Sequence, residues 1–292
     1  MQMSNISIGS SAMLVELNIS TWTARKLDKK VSAEVDVAKG AKTSAVNVNK
    51  NLLAGTGFLD TITKYAANAR AWHLSQTLPW SDNGQRLLPV SNFISYKEQL
   101  GKLNENFDAL VGKFIEAYPN LVSAAAFQLG DLFNRDEYPT REHITSKFGF
   151  RYSLAPLPTS GDFRIDIAED GLNELKNHYE GVLETRVNGA MQDAWDRLHD
   201  VLSRMSERLT PDIDENGDEK RKIFRDSLVD NAIDVCKLLK HFNTTNDTKL
   251  EFMRQQLEDA MRGVDAQSLR ESDLLREQTK LKVDALLDKF SL

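Results

Sequence analysis

Asp162-Phe163-Arg164-Ile165-Asp166-Ile167, then Asp170-Gly171, then an unbroken run to Leu209: the stretch from Gly161 to Leu209 decides the architecture. Its opening residues alternate apolar and polar, the pattern of a strand. From Leu172 the apolar residues move to helical spacing, at Leu175, Tyr179, Leu183, Val187, Met191, Trp195, Leu198, Leu202, Met205 and Leu209. Between Leu183 and Leu209 the spacing averages about 3.7 residues, nearer an eleven-residue repeat than a heptad. A helix of this length runs roughly 60 Å at 1.5 Å per residue, longer than a small domain is wide. It cannot bury its stripe alone, so it must protrude or lie against helices of similar length. Thr210-Pro211 ends it.

Two further helical stretches follow. Arg221 to Phe242 carries Phe224, Leu228, Ala232, Val235, Cys236, Leu239 and Phe242. Leu250 to Phe290 carries Met253, Leu257, Met261 and Val264, then Leu274, Leu275, Leu281 and Leu286. Gln267, Ser268 and Glu271 interrupt that stripe, which predicts a break between Val264 and Leu274.

Working back toward the start, Phe150-Arg151-Tyr152-Ser153-Leu154 alternates, and so does Met13 to Ile19 with Val15, Leu17 and Ile19 on one side. With Phe163–Ile167 these make a small antiparallel sheet of about three strands. Ser20-Thr21 reads as the cap of a helix beginning near Trp22, and Ala38 to Asn51 as a loose connection. A helix fits Leu52 to Gln76, with His73 on its apolar face as a core or rim residue. A third runs from Ser91 to Tyr118, where Pro119 breaks or kinks it. A fourth, Asn120 to Phe133, is nearly all apolar or small and is expected to be buried on most sides. Thr140 caps a short helix that Gly149 ends. The expected fold is therefore mainly α, of α+β type. A small antiparallel sheet packed with helices fills residues 1–170, and long helices forming a hairpin or coiled-coil-like stalk fill residues 171–292.

With 41% hydrophobic and 27% charged residues the chain is ordinary globular material. It has no apolar run of 18 residues, which argues against a membrane span. Met1 to Ser11 lacks a basic segment followed by an apolar one, and Met13 stands as a second start. The lone cysteine, Cys236, fits a reducing cytoplasm and sits on an apolar helix face as a small hydrophobe. Net charge is −6 but uneven: residues 1–75 carry nine Lys/Arg against five Asp/Glu. That basic opening offers a nucleic-acid footprint at Trp22, Arg25, Lys26, Lys29 and Lys30, continued by Lys39, Lys42 and Lys50, with Trp22 or Trp80 to stack a base.

Other motifs are incomplete. Asp212-Ile213-Asp214-Glu215-Asn216-Gly217-Asp218 matches the first half of a calcium loop, but Ile223 stands where a bidentate glutamate is needed and Glu219 where an apolar residue sits. It reads as a solvated acidic turn. Gly40-Ala41-Lys42-Thr43 and Gly55-Thr56-Gly57 lack the full phosphate-loop spacing. The five histidines never fall at metal-ligand spacing. Acid pairs, Asp131 with Asp136-Glu137 and Asp166 with Glu169-Asp170, are what a carboxylate-bound metal hydrolase would need, yet forty-three acids produce such pairs by chance. Arg151 and Arg164 are candidates to face one another across a hairpin. No cofactor is implied. The loop Leu78-Pro79-Trp80-Ser81-Asp82-Asn83-Gly84 through Pro89 holds Trp80, Asp82 and Arg86 as a candidate partner surface, with packing on the core the simpler account.

Leu14-Val15-Glu16-Leu17-Asn18-Ile19-Ser20-Thr21-Trp22-Thr23-Ala24-Arg25-Lys26 resembles the opening of a bacterial and phage family classed as a domain of unknown function. Tyr118-Pro119-Asn120, Leu129-Gly130-Asp131-Leu132-Phe133 and Asp162-Phe163-Arg164 also resemble its phage members. Such proteins are often encoded beside MoxR-type AAA+ ATPases and von Willebrand A-type proteins. The resemblance implies a phage-encoded partner or client in an ATPase assembly and brings no catalytic residues. The leading expectation is a non-enzymatic homo-oligomeric interaction protein in the host cytoplasm. Its oligomer or partner stripe is Leu183, Val187, Met191, Trp195, Leu198, Leu202 and Met205.

Overall fold

The computed structural model describes residues 11–157, 169–213, 217, 219–243 and 247–290, with the backbone alone at 169–173, 176 and 219. The expected strand Asp162–Ile167, with Arg164 and Asp166, lies outside them, as do Asp214, Glu215, Asn216 and Asp218 of the acidic loop. In chain order the elements are β1 (Ala12–Ser20), β2 (Arg25–Leu27), α1 (Lys29–Ala38), β3 (Asn49–Asn51), α2 (Phe58–Ser75), β4 (Leu78–Pro79), β5 (Arg86–Pro89) and α3 (Phe93–Leu129). Then come α4 (Arg141–Thr145), β6 (Gly149–Pro156), α5 (Glu169–Leu209), β7 (Asp212–Ile213), β8 (Glu219–Lys220), α6 (Ser227–Phe242), α7 (Thr248–Met261), α8 (Ala266–Glu271) and α9 (Asp273–Leu287). The protein is thus mainly α with a small antiparallel sheet, in the order β4-β5-β1-β6. Ala12 lies opposite Pro89 and Val15 opposite Arg86, while Leu78 lies opposite Leu87.

The chain packs as two units that alternate along the sequence. The helical unit takes the segment ending at Glu16, Gln76–Ile94, and the chain from Leu154 onward. The mixed unit takes Leu17–Ser75 and Ser95–Ser153. The expected division near residue 170 follows the sequence, whereas these units interleave.

In the mixed unit the chain stays extended where a helix was expected from Trp22. Ala24 adopts a left-handed backbone, φ 51°, and its carbonyl accepts from Leu52 N at 2.8 Å. This turn delivers β2 to β3, with Arg25 opposite Asn51, Lys26 opposite Lys50 and Leu27 opposite Asn49. Only then does α1 begin, capped by Asp28, whose Oδ1 accepts from Lys30 N and Val31 N at 3.1 Å. Lys29 and Lys30 oppose the helix dipole in that first turn, and the Asp28 carboxylate offsets them.

The connection after α1 is tied down. Asp36 Oδ1 accepts from Ala45 N at 3.3 Å and Val46 N at 3.2 Å, and Ser32 Oγ from Val48 N at 3.0 Å. Both side chains are buried. Hydrogen bonds to a charged acceptor contribute about 1.5–3 kcal/mol. Asp36→Ala is therefore expected to leave α1 in place but raise amide exchange at Ala45 and Val46 at least tenfold. Unchanged exchange at both amides would mean that the carboxylate does not hold the loop.

α3 runs for 37 residues straight through Pro119. A proline inside a helix costs about 3 kcal/mol, and here packing on both sides offsets it. Phe114, Ile115 and Tyr118 before it, and Val122 and Ala125 after it, bury into one core. Tyr118 Oη also donates to Pro139 O at 3.0 Å. The segment after Pro119 is not buried on most sides, since Phe127 is 91% exposed. Thr140 caps α4 as expected, its Oγ1 accepting from His143 N at 3.3 Å. Gly149 opens β6 rather than ending a helix. An added Cβ there would lie 3.0 Å from Ser20 Oγ, so the position suits a residue without one.

In the helical unit, α5 is flanked by α6 and α9, and α7 by both of these. Leu198, Leu202, Met205 and Leu209 are fully covered. Between Val187 and Leu198 the innermost positions are Ala190 and Ala194, with Met191 and Trp195 at the shoulders. The break after Val264 is present, α8 standing between α7 and α9. The end of α5 is closed by Arg276, only 6% exposed. Its guanidinium donates to Leu209 O at 3.1 Å, Arg208 O at 2.6 Å and Lys222 O at 3.1 Å, and lies 5.5 Å from the Phe224 ring centre.

Candidate functional site

Two hollows open on the mixed unit, and β2 contributes to both. The first, about 440 Å³, is walled by Trp22, Thr23 and Arg25 on one side and Gly55, Asp60 and Thr63 on the other. The second, about 510 Å³, is walled by Leu27, Lys29, Asp36, Lys42 and Asn47. Alternate residues of a strand point to one face. Arg25 and Leu27 therefore place the hollows in succession along the ribbon.

The walls are held from behind. Tyr138 Oη donates to Leu52 O at 2.7 Å, in a buried contact. Asn51 Oδ1 accepts from Leu53 N at 3.1 Å, and Thr56 Oγ1 donates to Leu53 O at 3.0 Å. Trp22 is fixed against Phe114 at 6.4 Å, tilted, and against Tyr118 at 6.2 Å, edge-on. The buried left-handed Ala24 sits between Thr23 and Arg25 and directs both into the first hollow. For a non-glycine residue that conformation costs roughly 1–2 kcal/mol, a strain that tends to collect at functional sites.

The acids around the ribbon are mostly engaged. Val31 N, more than the nearby Lys50, holds Asp28 below the usual carboxylate range. Lys50 meets Glu137 at 2.8 Å and Asp28 at 3.6 Å, and the Glu137 contact raises its pKa. Lys50 is thereby neutralised as part of the expected basic footprint. Arg25, Lys26, Lys29, Lys30 and Lys42 are exposed, and none forms an ion pair with the described residues. Gly55-Thr56-Gly57, set aside as a phosphate loop, forms part of the first wall. Its helical context in the sequence concealed that.

The other candidate residues lie elsewhere. In the helical unit Leu183, Val187, Leu198, Leu202 and Met205 are buried within a single chain, with Met191 and Trp195 packed against the same core. Most of that stripe is covered by the chain's own helices, with Met191 and Trp195 only partly buried. Trp80 is buried as well, with the Arg186 guanidinium 5.8 Å from its ring centre. Arg86 donates to Thr77 Oγ1 at 2.7 Å and to Thr77 O at 2.9 Å, while Asp82 is exposed at the hairpin tip.

Cys236 lines a third hollow of about 420 Å³ in the helical unit, where burial pushes its thiol up to about 12. Beside it Arg254 is clamped by Glu251 at 2.8 Å and Glu258 at 2.5 Å. Lys237 meets Asp234 and Arg262 meets Asp259, so most charges there are closed among themselves. His73 is buried in the mixed unit with Nδ1 2.7 Å from Tyr96 Oη. Among the described residues no three His, Cys, Asp or Glu side chains are placed to share a metal ion, and no described helix is long and apolar enough to cross a membrane. Comparison with protein-family models, with curated proteins and with solved structures gives no match.

Proposed function

We propose that the protein is a non-enzymatic interaction protein that self-associates through the outer face of α9. The observation carrying this reading is a pair of leucines two turns apart on one helix, Leu274 at 66% and Leu281 at 62% exposure. Gln278 and Ala285 complete the same exposed stripe, and Glu277 and Lys282 flank it, neither in an ion pair with the described residues. A second copy laid antiparallel sets Leu274 against Ala285, Gln278 against Leu281, and Glu277 against Lys282. Each contact then occurs twice, as two-fold symmetry requires. Ile223, 91% exposed, adds apolar surface in the segment that Arg221 ties to the start of α9 through Asp273.

One short helix pair buries less than the roughly 1,200 Å² typical of a stable interface. The expected product is a concentration-dependent dimer. The AAA+ ATPase implied by the resemblance would be a second protein partner in this reading.

Light scattering of the full chain over a range of concentration tests it. Leu281→Lys is expected to yield monomer throughout. Glu277→Lys alone is expected to weaken the dimer, and the exchange Glu277→Lys with Lys282→Glu to restore it. A monomer at every concentration, or a dimer indifferent to Leu281→Lys, would overturn the proposal.

A further inference from the structure

We propose that the two hollows along β2 form one track for single-stranded nucleic acid. Trp22 serves as a base platform, and Arg25, Lys29 and Lys42 contact the phosphates. The inference stands on the mixed unit and is independent of the α9 surface.

Charge selects the ligand class. Three open cations are distributed over two adjoining hollows. A single small anion would engage one of them, whereas a chain with a charge on every unit engages all three. Asp28 is engaged by the α1 cap and Lys50, and Asp36 by two backbone amides. Asp60 is the one open acid among the lining residues of both hollows. The track is thus locally cationic in a chain of net charge −6, and phosphate contact depends on that local excess rather than on the total.

The neutral groups agree. Single-strand binders combine a cationic groove with aromatic faces on which bases stack, and this tolerates sequence. Trp22 supplies such a face, already immobilised by Phe114 and Tyr118, so stacking on it requires little further ordering. Asn51, Thr23 and Thr63 line the same hollow and offer hydrogen bonds to sugar oxygens and base edges. The strained Ala24 keeps Arg25 in the wall without help from a bound ligand. Stacked bases need single strands, because a duplex keeps its faces covered.

Fluorescence anisotropy of the full chain with a labelled thymidine oligonucleotide of about 15 residues, titrated from low to physiological salt, tests the track. Affinity should fall with salt, and the slope of log K against log salt should lessen by roughly one for each of Arg25→Ala, Lys29→Ala and Lys42→Ala. These are exposed positions, so folding is expected to be intact, and circular dichroism checks it. Trp22→Ala should weaken binding roughly tenfold or more at an unchanged slope. Trp22→Phe, which keeps an aromatic face, should recover part of the loss. Three outcomes would overturn the proposal: no binding at the lowest salt, equal affinity in the triple Ala variant, or equal binding of polyglutamate or duplex DNA.

Discussion

Arg276→Ala is expected to destabilise the helical unit by about 3–5 kcal/mol, the scale of losing three hydrogen bonds from a charged donor together with the packing of a buried side chain. The buried guanidinium bonds three carbonyls, two of them at the end of α5. The last carbonyls of a helix have no partner within it, and a cation placed there also answers the dipole. Removing the side chain leaves these acceptors uncovered and opens space against Phe224. Burial pushes the Arg276 pKa down, while Asp273 opposes that shift. Arg276→Lys is expected to recover only part of the loss, because an ammonium cannot reproduce the planar fork. Urea unfolding followed by far-ultraviolet circular dichroism measures both. A loss below about 1 kcal/mol for the alanine variant would show that the end of α5 is closed by other means.

Phe114→Ala is expected to cost the mixed unit about 3–5 kcal/mol, as for other fully buried aromatics. Its ring lies 5.5 Å from Phe148, 5.8 Å from Tyr118, 6.4 Å from Trp22 and 6.5 Å from Phe58. Truncation therefore loosens one wall of the first hollow as well as the core. Near-ultraviolet circular dichroism should lose intensity, and nucleic-acid affinity should fall with it. Because the helical unit has its own core, calorimetry should resolve a lowered transition beside one that does not move. A single shifted transition would show that the two cores unfold as one cooperative system.

Where a pattern was long and its stops local, it was legible. α5 ends at Leu209 before Thr210-Pro211, the break before α9 falls where polar residues interrupt the stripe, and Thr140 caps α4. What escaped depended on partners distant in sequence. Ser20-Thr21 has the chemistry of a cap, but the bond from Leu52 N to Ala24 O keeps that stretch extended. Pro119 looks like a stop until Phe114 and Val122 are found in one core. The residues after α1 look loose until Ser32 and Asp36 bond them. β4 has only two residues, too few for periodicity to register.

The site divides in the same way. Trp22, Arg25 and Lys29 stand out as a basic stretch with an aromatic. Their opposite wall, Gly55 to Thr63, was hidden because the apolar pattern there reads as helix from Leu52. The α5 periodicity correctly marked a buried stripe but carried no information on whether its cover came from the same chain.

The alternation of the two units along the chain bears on how the protein is made. The mixed unit can close once Ser153 has left the ribosome, since its segments end there. Leu14, Leu78 and Leu87 belong to the core of the helical unit but are translated earlier, and α5, its first long helix, begins only at Glu169. During synthesis these side chains are present before there is a helical core for them to enter. Exposed apolar strands of this kind are aggregation-prone. Nascent chains stalled before α9 should therefore recruit holding chaperones, and release of the full chain should end that dependence.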